Sequence, residues 1–335
     1  MAPDPILTLV WAGIVAFAVF TYVVLDGFDL GIGILFPWLD HHNDRGTAMN
    51  SIAPVWDGNE TWLVLGGGAL MAAFPLAYAV VMPAIYTPLI AMLLGLVFRG
   101  VAFEFRWRTT RGRGWWDFAF FSGSLIAALA QGIALGAILQ GITVTGRAYG
   151  GGWWDWLSPF TLLCGVALVF GYAALGACWL NMKAEHDLQK RARRIAAFAG
   201  AGLVIGIVAV SAATPFLSHN YYQRWFTWPH VLATAQVPLL VILTTAAYFF
   251  TLARGWERTP FLLALGLFAL SYLGLAVSMF PYIIPPSISI WDAAAPASAQ
   301  GFMLVGAMIL LPIILAYTVY AYWVFRGKVG TEGYH

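Results

Sequence analysis

The chain has 335 residues, 61% of them hydrophobic and only 10% charged, with a mean hydropathy of +0.79 and a formal net charge of +2. A soluble domain carries about 25% charged residues, so a sizeable water-soluble domain is excluded. The positive charge lies in clustered loop residues and makes no basic face, which speaks against nucleic acid as a partner.

At about 20 apolar residues per spanning helix, the length holds eight or nine membrane spans with short loops. Met1-Ala2-Pro3-Asp4-Pro5 lacks the basic region of a signal peptide, and the apolar run behind it passes Phe20 with no recognisable cleavage site. It is therefore expected to stay as a first helix. That segment runs from about Ile6 to Trp38 and closes on Asp26-Gly27-Phe28-Asp29-Leu30-Gly31-Ile32-Gly33. Asp26 and Asp29 share a helix face, and helix-end polar anchors are the plainer reading of them than a proton relay. Gly27 and Gly31 form a GxxxG pair where another helix can approach closely. A polar loop, Asp40 to Asn50, holds His41, His42 and Arg45. Segment two begins near Pro54, read as a first-turn proline, and stops at Pro75. Segment three covers Tyr78 to about Phe103, with a kink expected at Pro83 and Pro88.

The loop Glu104 to Asp117 carries Arg106, Arg108, Arg111 and Arg113. Segment four, about Phe118 to Val144, leads into a loop with Trp153, Trp154 and Trp156, the composition of an interfacial aromatic belt. Segments five to nine are expected near Pro159–Leu180, Ile195–Leu217, Pro229–Leu252, Pro260–Phe280 and Phe302–Phe325. Gly132/Gly136 and Gly202/Gly206 are further close-contact pairs. Basic loops alternate without a break with aromatic or uncharged ones, and Lys and Arg mark the cytoplasmic side, so the C-terminus is expected inside. Nine spans follow if segment two crosses, eight if it lies flat or re-enters; nine is preferred. The fold class is thus an all-α polytopic membrane protein. Its helices are expected to group as one bundle of four over 1–150, a second over 151–290, and a peripheral helix and tail over 291–335.

The residues that carry chemistry cluster in Pro54-Val55-Trp56-Asp57-Gly58-Asn59-Glu60-Thr61-Trp62. Asp57 and Glu60 are three apart on a helix, and Arg99 and Glu104 close the next apolar run. Ionisable groups at bilayer depth are costly and usually face a bundle interior or a water path. A buried carboxylate suits a proton relay, and an aqueous entry near Arg99 and Glu104 leading to Asp57 is physically sensible. The structural alternative is that Asp57 caps segment two or pairs with Arg99 for fold specificity. Haem ligation is disfavoured: of His41, His42, His186, His219, His230 and His335, five lie in loops or the tail, and no two could clamp a haem inside the membrane. Cys164 and Cys178 are 14 residues apart in one apolar segment, about 21 Å along a helix, too far to bond. The aromatic content could line a quinone or lipid headgroup pocket, a signal most membrane proteins share.

Asp26-Gly27-Phe28-Asp29-Leu30-Gly31, the run Asn50 to Trp62, Gly67-Gly68-Ala69-Leu70, and Phe98-Arg99-Gly100-Val101-Ala102-Phe103-Glu104-Phe105-Arg106 resemble subunit II of the cytochrome bd-type quinol oxidases. These motifs span about the first third of the chain; the remainder agrees in length and hydropathy. Short loops and total length resemble the cyanide-insensitive branch of that family. The resemblance implies nine helices in two four-helix bundles plus one. It also implies a similarly folded subunit I holding all the haems, two b-type and one d-type or three b-type, together with the quinol-oxidising loop. Asp57 would lie on a proton path from the cytoplasm to the oxygen-reducing haem in subunit I, with Glu104, where the family often has Asp, near its mouth. Glu60 stands where some relatives have Gln, so a relay role for it does not follow. A structural quinone near Asp29 and a small single-helix accessory subunit are further implications, with quinol and O2 as substrates of the complex, in a bacterial inner membrane. The rival reading is a self-sufficient proton-coupled transporter using the helix breaks near Pro75, Pro83 and Pro88. A third is a scaffold that only stabilises a haem-bearing partner.

Overall fold

A computed structural model describes residues 4–39 and 43–329; His41, His42 and His335 lie outside them. Helix α1 (Pro5–Leu35) starts where the Asp4 carboxylate accepts hydrogen bonds from the Ile6 and Leu7 amides at 2.8 and 3.0 Å, with Pro5 at the first helical position. A short 3-10 turn, Phe36–Trp38, ends it. Asp26 and Asp29 are therefore interior residues of a 31-residue helix rather than helix-end anchors. The glycines around them continue the helix because other helices press on it there. A Cβ on Gly31 would collide with the Tyr172 carbonyl oxygen and stand 2.9 Å from the Gly176 nitrogen.

The expected polar loop after α1 instead contains α2 (Asn43–Ile52), whose Ala48, Met49 and Ile52 are buried. Arg45 on α2 donates to Asp117 Oδ2 at 2.8 Å and to the Phe36 carbonyl at 3.1 Å. Helix α3 (Trp56–Ala73) begins two residues beyond Pro54, which lies in the preceding turn and not in the first helical turn. The expected third segment is divided into α4 (Pro75–Ala84) and α5 (Tyr86–Arg108), with Ile85 between. Pro88 has no N–H to return to the Ala84 carbonyl and its ring crowds that group, so the first helix stops there and a new one starts.

Helix α5 runs on to Arg108, and α6 (Arg113–Gln140) starts after Gly112 at φ +84°. Glu104 and Arg106 are thus helical, not loop residues. The Trp-rich loop contains an antiparallel hairpin of β1 (Val144–Thr145) and β2 (Ala148–Tyr149). Helix α7 (Pro159–Lys183) opens with a capping box between Ser158 and Thr161. Helix α8 (His186–Ala213) takes Lys190, Arg191, Arg193 and Arg194 into its first turns. Two short helices, α9 (His219–Phe226) and α10 (His230–Thr234), lead into α11 (Gln236–Ala253) and α12 (Thr259–Met279). The uncharged loop after α12 holds a second hairpin, β3 (Tyr282–Ile284) with β4 (Ile288–Ser289), and α13 (Ile290–Ala293) before α14 (Ala297–Val324).

Eight helices among the described residues are long and apolar enough to cross a bilayer: α1, α5, α6, α7, α8, α10 with α11, α12 and α14. The additional span expected is α3, 18 residues long, whose first turns carry Asp57, Asn59, Glu60 and Thr61. Helix α7 lies centrally, packing on α1, α6, α8 and α12. One continuous core, including Phe28, Phe120, Tyr172, Trp179, Phe261 and Phe268, joins the first and second halves of the chain. Gly95 and Gly123 bring α5 and α6 into backbone contact, a Cβ on Gly95 lying 2.7 Å from the Gly123 carbonyl oxygen.

Helix α14 lies at the edge, with most of its apolar residues exposed. Its two ends are tied down. Trp11 Nε1 donates to the Gln300 carbonyl at 3.0 Å. At the other end the tail folds over the α7–α8 turn, where Lys183 Nζ donates to the carbonyls of Phe325 and Gly327, and the Val329 amide donates to the Lys183 carbonyl at 3.0 Å. Lys328 reaches Glu257 at 2.9 Å, and its hydrogen bond, with that of Gln189, holds the Glu257 carboxyl below the usual carboxylate range. A carboxyl depressed in this way supports the fold above its unfolded range and loses that support as pH falls through the folded value. Both partners are exposed, so the pair is worth at most about 1 kcal/mol. Lys183 is buried and matters more. Lys183→Met removes both carbonyl contacts and is expected to speed hydrogen exchange of the Val329 amide, by roughly tenfold for a loss of about 1.4 kcal/mol.

Candidate functional site

The most highly charged part of the buried interior lies where α1, α3 and α5 meet. There Arg99 on α5 is fully buried. Its Nη1 donates to Asp26 Oδ1 at 3.0 Å and to Glu60 Oε1 at 2.5 Å, and its Nη2 lies 4.0 Å from Asp29 Oδ2. Asn59 steadies the second aspartate: its Nδ2 donates to Asp29 Oδ2 at 2.7 Å and to the Leu25 carbonyl at 3.3 Å. Tyr322 of α14 in turn donates its hydroxyl to Asn59 Oδ1 at 2.9 Å. The Trp56 ring lies 5.7 Å from the guanidinium carbon of Arg99. Side-chain exposure is 0% for Arg99 and Asp29, 1% for Asp26 and 26% for Glu60, so Glu60 is the rim of the cluster.

Helix phase makes this arrangement. Asp26 and Asp29 share the inward face of α1, and the same turn of α3 that sends Asn59 and Glu60 inward sends Asp57 outward. Asp57 is exposed, with no hydrogen bond or ion pair among the described residues. It neither caps α3, whose N-cap is Val55, nor pairs with Arg99; Glu60, Asp26 and Asp29 occupy that guanidinium. Glu104 is also exposed. Their sequence neighbours meet: Trp56, next to Asp57, packs its ring on Phe103, next to Glu104, at 4.9 Å between centroids, so α3 and α5 are in contact at this level. The sequence-derived set therefore divides into a buried group (Asp26, Asp29, Arg99, Glu60) and an outward pair (Asp57, Glu104).

Sequence reasoning missed three features. Tyr322 has no local signal, being 263 residues from the Asn59 it contacts. Gln131 links Tyr172 and Tyr22 in a buried chain, at 2.7 and 2.8 Å. Asp117 receives both Arg45 and Arg106, at 2.8 and 2.5 Å, knitting α2, α5 and α6 together.

Haem ligands are a different matter. His186, His219 and His230 are all exposed, and the described residues contain no grouping of three or more His, Cys, Asp or Glu able to hold a metal ion. Cys164 and Cys178 are buried free thiols of α7.

The fold and the site together define a polytopic all-α membrane protein with a buried ionic centre. Residues 7–325 match the family of cytochrome bd terminal oxidase subunit II, and the chain belongs to that family. It is 32% identical over 371 aligned positions to the Escherichia coli (strain K12) cytochrome bd-I ubiquinol oxidase subunit 2, covering 98% of this chain and 96% of that one. The alignment is longer than this chain, so the E. coli protein carries insertions that this chain lacks. It is 29% identical to the Bacillus subtilis (strain 168) cytochrome bd ubiquinol oxidase subunit 2, covering 95% and 96%. In three dimensions it matches the bd oxidase from Geobacillus thermodenitrificans with a TM-score of 0.76 over 96% of this chain and 99% of that one, at 17% identity, a likeness of fold. The protein is thus a subunit of a membrane oxidoreductase complex. The family implies a subunit I partner that carries the haems.

Proposed function

We propose that this chain stabilises the haem-bearing subunit I of a bacterial cell-membrane quinol oxidase and supplies part of a cytoplasmic proton path to the oxygen-reducing haem there. One observation carries the reading. Asp57 and Glu104 are both exposed, each next in sequence to one ring of the Trp56–Phe103 contact, on a membrane chain. A carboxylate left facing lipid is costly, so a surface bearing two suits a partner subunit and a water path better than a bilayer. The exposed Gly67 and Gly68 of α3 leave room for a partner helix to come close.

In this reading α3 is a ninth span and the helices form two bundles of four, over 1–150 and 151–290, with α14 peripheral over 291–335. The basic ends of α5, α7 and α14 face the cytoplasm, as does the C-terminus. Quinol is oxidised and O2 reduced in the partner. Protons for water enter partly through Glu104 and Asp57, and quinol protons leave on the opposite side, so turnover charges the membrane. The lack of insertions relative to the E. coli subunit fits the short-loop, cyanide-insensitive branch. A small accessory helix and a structural quinone near Asp29 remain parts of the family picture that the partner complex would test.

Asp57→Asn is expected to lower quinol oxidase turnover about tenfold or more in the two-subunit complex, with the reduced-minus-oxidised haem spectrum unchanged. Normal turnover in the assembled variant would remove Asp57 from the path. The same preparation separates the rivals. A colourless, stable single chain would favour a transporter, and a coloured complex indifferent to Asp57 would favour a scaffold.

A further inference from the structure

The cluster around Arg99 has a charge problem that the outward pair does not share. Asp26, Asp29 and Glu60 all face this one guanidinium, and no other ion pair among the described residues reaches any of them. With all three ionised, two negative charges stand uncompensated in a site where Asp26, Asp29 and Arg99 have at most 1% side-chain exposure. Desolvating even one unpaired carboxylate costs several kcal/mol. The surroundings offer no relief. The remaining titratable groups near enough to act on the cluster are Tyr22 on α1, Asp57 on α3, Tyr172 on α7 and Tyr322 on α14, and none is a cation.

A second observation points to what the site holds. Arg99, wholly buried, leaves Nε and Nη2 without a hydrogen-bond acceptor and Asp29 Oδ1 has no donor, whereas Asp26 has the Tyr22 hydroxyl beside it. Two unused donors and an unused Asp29 oxygen in one buried cluster are the partners an ordered water or an added carboxyl proton would need. The three acids are not equivalent. Asp26 and Glu60 each accept a direct bond from Arg99 Nη1, whereas Asp29 is 4.0 Å from Nη2 and receives only the neutral amide of Asn59.

We propose that this cluster is a proton-storing site: Asp29 holds a carboxyl proton in the resting protein, and Glu60 at the rim exchanges protons with the outside. The transfer is of protons alone. The Asp29 proton passes, by way of a water, to the ionised Glu60 carboxylate, which then releases it outside, so that the cluster ends one unit more negative. Tyr322 acts as a positioning residue, since its bond to Asn59 turns the amide nitrogen towards Asp29. The site does not depend on the Asp57 path, and the two fail separately.

The test is infrared difference spectroscopy of the purified two-subunit oxidase, reduced minus oxidised, in H2O and D2O. The wild type is expected to show a protonated-carboxyl C=O band that shifts in D2O. It should vanish in Asp29→Asn and persist in Asp57→Asn. Glu60→Gln is expected to keep the band and slow its H/D exchange at least tenfold. An unaltered band in assembled Asp29→Asn would overturn the proposal. Should that variant fail to assemble, Glu60→Gln decides: exchange at the wild-type rate would overturn it equally. Tyr322→Phe separates positioning from structure, because it should shift the band's frequency without removing it.

Discussion

Arg99→Met is expected to abolish accumulation of the assembled oxidase. The substitution keeps the length and apolar stem of the side chain but leaves Asp26, Asp29 and Glu60 with no cation in reach. Removing one partner of a buried pair costs about 3–5 kcal/mol, and here a single guanidinium serves three acids. That is comparable with the whole stability of an ordinary domain, about 5–15 kcal/mol. Membranes carrying the variant should lack the haem spectrum of the complex and yield no co-purifying partner. The cause is separable from lost packing by adding Asp26→Asn and Glu60→Gln in the Arg99→Met background. If charge is the cause, the triple variant recovers haem absorbance; if shape is, it stays empty.

The second large effect is expected at Gly31→Val. Its Cβ would overlap the Tyr172 carbonyl oxygen and press on the Gly176 backbone, where α1 and α7 cross. Rotamer changes cannot relieve contact with a main chain, so the helices must separate. Overpacking of an ordinary core costs about 1–3 kcal/mol, and this crossing, which joins the two halves of the chain, has less room to yield than most. The variant is expected to lose the haem-bearing partner at lower temperature than the wild type when the complex is heated and passed over a size-exclusion column. Gly13→Ala is the matched control on the same helix, because nothing lies within 4 Å of its added carbon.

How far the sequence carries is clearest at these two places. The DGFDLG run announced both a close helix contact and a pair of acids, and both are present. The sequence could not say which acid turns inward on α3. Three residues of a 3.6-residue helix are about 60° apart, close enough to be read as one face, yet the inward boundary falls between Asp57 and Glu60. Only the packing of α1 and α5 fixes that phase. Tyr322 was illegible for a different reason: it sits in an apolar helix whose pattern records lipid, and its partner lies 263 residues away. Helix α2 was hidden by its polar composition, with three buried apolar side chains too few to print a period. The break at Ile85 was foreseeable, since a proline four residues past a carbonyl removes a specific bond.

The tethering of α14 bears on how the protein is made. Synthesis is vectorial, so this helix reaches the membrane after every other one. Lys183 waits 142 residues for the Phe325 carbonyl that it binds. Until then Asn59 has no Tyr322, and the acids beside it lie open on one side. A ribosome that stalls before the last turn of α14 therefore leaves a chain marked as unfinished by a polar opening in the bilayer. The last turn of α14, which carries Tyr322, closes that opening.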